Sequence, residues 1–281
     1  MWKTSNRAKA ALPSLACAVK CRPMMARTAF SLLACTTLAL AACGSSSEGA
    51  QRPETARAFP LPDRPVSNLG ANAFSDEQTR DSQGEARKVM DMASIEPGMT
   101  VADIGAGEGY YTVRLAERVG EHGRVLAQDI DRGALERLGR RVERERLDNV
   151  SIKAGAQDDP RLPEDSFNRV FMVHMYHEVA EPYAFLWRLW PSLEDGGKVI
   201  VVDIDRPTDR HGIPPALLAC EFERVGYRLD RIEQAPELAG YFAQFSRGAT
   251  RPDPDEIVPC TGQESAAKAD RGEAGEPGAR S

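Results

Sequence analysis

Between Thr100 and Val119 the chain runs from an apolar strand, through three glycines at alternate positions, into an amphipathic helix. Val101-Ala102-Asp103-Ile104 is the strand and Gly105-Ala106-Gly107-Glu108-Gly109 the loop. Tyr111, Leu115 and Val119 then recur at i, i+4 and i+8. Lacking a Cβ, glycine adopts φ/ψ values closed to other residues and lets a ligand lie against bare backbone. The arrangement predicts a nucleoside-cofactor pocket at the carboxyl end of a parallel strand. The dinucleotide fingerprint places its third glycine one residue later, where this chain has Tyr110, which argues against a nicotinamide-dependent oxidoreductase.

The pattern continues as alternating strand and helix. Val89, Met90, Ala93 and Ile95 lie on one face of a helix over 86–95, closed by Glu96-Pro97-Gly98. Arg124 to Ile130 reads as a second strand, so strand, helix and strand form a right-handed parallel unit. Its end, Asp129-Ile130-Asp131, offers Asp129 to both hydroxyls of a ribose and Ile130 to a base. Asp131 suits the N-cap of the helix that follows, marked by Leu135, Leu138 and Val142. Val150, Ile152 and Ala154 mark a third strand, and Val170 to Val173 a fourth, buried on both faces. Tyr183, Phe185, Leu186, Leu189 and Trp190 make an apolar helix that reads as core. A turn over Leu193–Lys198 leads into a fifth strand, Val199–Asp203. A last helix over 213–225 precedes a hairpin of Tyr227–Ala235 and Gly240–Ser246.

With Asp103 two residues before Gly105, the glycine loop resembles the first motif of class I S-adenosylmethionine (SAM) dependent methyltransferases, and the likeness extends over roughly residues 86–247. It implies an α/β, Rossmann-like fold: a doubly wound, mostly parallel seven-stranded sheet ending in an antiparallel hairpin. SAM is the cofactor expected, against the backbone of Gly105, Ala106, Gly107, Gly109 and Tyr110, with Asp129 on the ribose and Ile130 on the adenine. Asp103 either orders the loop or meets the amino group of the methionine part. The family commonly has an Asp after the glycine that ends the third strand, but Ala156 stands there. Asp158, or less readily Gln157, is the substitute against adenine, unless Asp158 only holds a turn before Pro160. The Gly109-Tyr110-Tyr111-Thr112 run is also similar to that of protein isoaspartate methyltransferases.

By position, His174-Met175-Tyr176-His177-Glu178 corresponds to the fourth family motif, beside the methyl donor. His174 and His177 are the catalytic candidates, because a general base that takes a proton from the methyl acceptor needs a pKa near neutrality. The competing reading makes each a structural histidine. Two histidines three residues apart also suggest metal, but no third ligand is evident in the sequence, so no metal is expected.

Four segments follow: an extension and signal over 1–43, a tether over 44–73, the methyltransferase-like domain over 74–249, and a disordered tail over 250–281. Met24-Met25-Ala26-Arg27 and the apolar run from Phe30 to Ala42 read as a secretory signal. Leu40-Ala41-Ala42-Cys43 resembles the lipobox of bacterial lipoproteins, which implies a lipid on Cys43 and a cell-envelope location facing the periplasm. Gly44 favours the outer membrane. Residues 1–43 hold six basic and no acidic side chains. Their removal leaves 30 of the 36 basic residues against 42 acidic ones, a formal −12 that disfavours nucleic acid as a partner. Cys220 and Cys260 would remain beside Cys43, and neither a disulfide nor a metal site is indicated. A small molecule is the expected substrate, and the oligomeric state is not legible. Since SAM is made in the cytoplasm, an exported, non-catalytic ligand-binding module is the alternative.

Overall fold

The computed structural model describes residues 52–69, 76–238 and 240–261. The signal, the lipobox and Cys43 lie outside them.

Two short helices come first, α1 (Glu77–Ser82) and α2 (Glu85–Met92). Asp76 caps α1 by accepting the Thr79 N–H at 2.9 Å, which satisfies one of the amide donors left over at a helix start. Strand β1 (Thr100–Ile104) runs through the glycines into α3 (Tyr110–Val119), whose Leu115 and Val119 are wholly buried. Next come β2 (Arg124–Asp129) and α4 (Arg132–Glu145), where Asp131 accepts the Gly133 N–H at 2.7 Å as the expected N-cap. The chain continues through β3 (Val150–Ala154), β4 (Phe167–Val173), α5 (Pro182–Leu189), β5 (Leu193–Asp203), α6 (Pro215–Arg224), β6 (Tyr227–Ala235) and β7 (Gly240–Arg247).

The sheet order is β3-β2-β1-β4-β5-β7-β6. β1 to β5 are mutually parallel, and β7 and β6 are antiparallel additions. This is the Rossmann-like arrangement expected from the sequence. The order reverses between β1 and β4, the switch point at which a crevice forms beyond the carboxyl end of β1. β4 is central: Val170, Phe171 and Met172 are completely buried, as a strand covered on both faces requires. β5 starts six residues earlier than expected, because the Leu193–Lys198 turn is absorbed into it as a register shift against Phe167 and Arg169.

Both flanks of the domain differ from expectation. The expected tether over 44–73 is, across 52–69, a strap packed on the domain. Its prolines do exclude regular helix, but Ala56 and Phe59 are buried and Phe59 meets the Trp187 ring edge-on at 5.6 Å. Arg52 forks onto Glu181 at 2.6 and 2.7 Å, and Arg64 onto Glu221 at 2.6 and 3.3 Å. The expected disordered tail over 250–281 likewise packs as far as residue 261. Arg251 stacks 3.6 Å from the Trp187 ring centroid, Ile257 is buried, and Cys260 forms a disulfide with Cys220. The pairing is not legible in the sequence, because the two cysteines are 40 residues apart and one stands in a segment with no apolar period.

Candidate functional site

The crevice is built from the turn after β1 and the end of β2. Gly107 has φ +55°, and a Cβ added there would meet no atom within 4 Å, so its bare face looks onto open space. Gly105 is under pressure from the other side, since a Cβ there would come within 2.9 Å of Met175 Cγ. Across the crevice, Asp129 Oδ2 accepts the Gly107 N–H at 2.9 Å and Oδ1 accepts the Asp131 N–H at 2.8 Å. Ala106 N–H also bonds the Gln128 carbonyl at 3.0 Å, so loop and strand end share one cleft. A carboxylate offers about four acceptor positions. Two are used, and two remain for a vicinal diol. Ile130 is half-buried beside it. Bare backbone, a carboxylate with spare acceptors and an apolar neighbour fit the adenosine half of SAM.

Asp103 is almost fully buried and accepts the Thr112 hydroxyl at 2.6 Å, tying β1 to the first turn of α3. Burial raises its pKa to about 7. This geometry favours the loop-ordering role. The Tyr110 ring turns out of the crevice and lies between the guanidiniums of Arg80 and Arg114, at 3.7 and 3.9 Å. Its backbone alone is left for the ligand. Asp158 is engaged away from the crevice expected of it: its buried carboxylate accepts from Arg188 at 2.8 Å and from the Thr55 hydroxyl at 2.6 Å. It anchors the strap, while Gln157 is exposed on the same loop.

The two histidines differ from each other and from expectation. His174, at φ +54°, donates its N–H to Val202 O at 2.7 Å, and its Nε2 stands 3.9 Å from Glu85 Oε1. Glu85 is fixed by Arg80 at 2.6 and 2.9 Å and by the Tyr111 hydroxyl at 3.0 Å. Burial pushes the His174 pKa down to about 4, so at neutral pH its ring is uncharged and a weaker base than an unperturbed imidazole. His177 is fully buried, with Nδ1 2.9 and 3.0 Å from the two oxygens of Asp203. Its ring faces His211, the centroids 5.8 Å apart. A third candidate ligand that the sequence did not make evident is thereby brought close, for one ligand atom each from His177, Glu178 and His211 lies within 4.8 Å of the others. Sequence reasoning missed Asp203, Met175 and Glu85. For Asp203 a signal existed: β4 and β5 are adjacent parallel strands, Val173 pairs with Val202, and the residues just beyond must meet.

Residues 101–197 match the family model described as a methyltransferase domain. That match spans the strand–loop–helix core from β1 into β5. The chain's curated relatives include the ubiquinone/menaquinone biosynthesis C-methyltransferase UbiE of Shewanella frigidimarina, 30% identical over 124 residues, covering 43% of this chain and 49% of the relative. The UbiE of Escherichia fergusonii is 27% identical over 128 residues, with the same coverage. The chain thus spans about half the length of the curated relatives it matches. Among solved structures, a SAM dependent methyltransferase from Aquifex aeolicus superposes with a TM-score of 0.53 at 22% identity, over 61% of this chain and 97% of its own. The [4+2]-cyclase SpnF also superposes at 0.53, with 13% identity over 68% and 88%. These likenesses establish the fold.

Proposed function

We propose that the domain is a SAM-dependent methyltransferase with a small-molecule acceptor. The observation that carries this reading is the Asp129 carboxylate bonded to the Gly107 N–H, which makes one cleft of glycine backbone and ribose-binding acceptor. When bound, SAM supplies a methyl group already activated by its sulfonium. The chain's task is to position the acceptor and exclude water. Gly105, Ala106, Gly107 and Gly109 provide the backbone wall, Asp129 the diol contact, Ile130 the apolar face, and Asp103 the rigidity of the loop. His174 and Met175, at the end of β4, border the donor side. There His174 is a neutral polar group that orients an acceptor, and His177 is held by Asp203 as its support. The test is calorimetry with SAM and its demethylated product. The parent should bind at micromolar level, and Asp129→Ala should lose about 1–3 kcal/mol of affinity, the cost of stranding paired groups. No heat with either ligand would dismiss the reading.

We infer further that the chain is an exported lipoprotein anchored through Cys43. The Cys220–Cys260 disulfide supports export, since such bonds persist in oxidising compartments. The intact mass of membrane-fraction protein, with and without a block of lipoprotein processing, tests the anchor. Burial of both histidines favours the second reading, an envelope module that retains a ligand without transferring methyl. Ligand that co-purifies but is never turned over would select it.

A further inference from the structure

We propose that His177, Glu178 and His211 bind one divalent transition cation of the zinc type. The three ligand atoms already lie within 4.8 Å of one another, and His177 Nε2 is 4.0 Å from Glu178 Oε1. Zinc bonds of about 2.0 Å in tetrahedral array need ligand atoms about 3.3 Å apart, a closure that side-chain rotation supplies.

The hydrogen-bond geometry of His177 favours such a site. Its Nδ1 faces both oxygens of Asp203, which turns Nε2 toward Glu178 and His211 as the ring's remaining ligand atom. This carboxylate–imidazole pairing is the support that fixes the ring of a metal-binding histidine and raises its basicity. Nε2 is wholly buried and has no hydrogen-bond partner among the described residues, and the same is true of the buried His211 Nδ1. Buried imidazole nitrogens left without partners are uncommon and ask for an explanation such as an absent ion.

Assembly agrees. The neighbouring cation, Arg64, is neutralised by its fork onto Glu221. Ser67 of the strap joins the two sides of the site: its N–H donates to His177 O at 3.4 Å, and its hydroxyl accepts the His211 N–H at 3.2 Å. A donor set of two imidazoles and one carboxylate suits zinc and its neighbours and leaves coordination positions open. The inference does not rest on methyl transfer.

The experiment uses the full chain, stripped with chelator and alkylated so that the N-terminal thiols cannot bind metal while the Cys220–Cys260 bond stays intact. Zn2+ should bind with one equivalent and a Kd of about 10 µM or tighter. Co2+ should give a visible absorption band with no thiolate charge-transfer band. His211→Ala and Glu178→Gln, each with an unchanged far-ultraviolet circular dichroism spectrum, should weaken Zn2+ by at least about tenfold. Uptake that is substoichiometric, or unaffected by His211→Ala, would overturn the site as adventitious. Calorimetry of the same variants with demethylated SAM reads the cofactor crevice separately, so the two proposals fail independently.

Discussion

The two sides of the sheet are held together by bonds of very different reach. At the cofactor crevice, over β1 and β2, partners are close in sequence: Thr112 with Asp103 is 9 residues apart and Gly107 with Asp129 is 22. Over β4, β5 and α5, partners come from far away. Thr55–Asp158 spans 103 residues, Arg52–Glu181 129, Ser67–Thr208 141 and Arg64–Glu221 157. The crevice is therefore assembled by contiguous chain, whereas the strap side must close long loops, each at an entropic cost that grows slowly with length. Such a side needs strong fasteners. It has buried ion pairs and a disulfide, where the crevice has backbone hydrogen bonds and the two carboxylates of Asp103 and Asp129.

The contrast can be broken first at Arg64. Its guanidinium and the Glu221 carboxylate are both buried, so Arg64→Met strands a charge in the interior. That should cost about 3–5 kcal/mol in urea unfolding, with the Arg64→Met/Glu221→Leu double variant recovering much of the loss. A loss below about 1 kcal/mol would mean the strap is not a fastener. The disulfide comes next. Reduction releases a 40-residue loop and should lower stability by about 2–4 kcal/mol, read from unfolding curves with and without reductant.

The crevice side has its own, smaller lever in Asp103. Its pKa in the folded state is raised to about 7 from 3.8, so the folded chain holds the proton more tightly than the unfolded one. The stability this contributes is complete below about pH 4 and is lost as pH rises through about 7. Asp103→Asn keeps a polar partner for Thr112 without the charge. It should gain about 2 kcal/mol relative to the parent between about pH 5 and pH 7, and a pH-independent difference would deny the raised pKa.

The same division governs what could be read from the sequence. β1, β2, β3 and β4, the cap at Asp131, and the approach of Asp129 to Gly107 all follow from local period and spacing, because the groups involved are near one another along the chain. The strap reads as a linker because its prolines forbid helix, but a proline-rich segment can still bury Phe59 and fork an arginine onto Glu181. Nothing local in the sequence announces a partner 129 residues away. Asp158 illustrates the same limit, since its partners, Arg188 and Thr55, lie in distant segments. The histidine cluster needed His211, which a left-handed residue at φ +54° presents from beyond β5.

Trp187 stands where the two long-range closures meet. The Phe59 ring contacts it from the strap, and from the opposite terminus the Arg251 guanidinium covers its face while its indole N–H donates to Pro252 O at 2.9 Å. Loosening of either terminus must change the polarity around that indole, so the wavelength of its fluorescence doubles as an optical gauge of whether the molecule is buttoned at both ends.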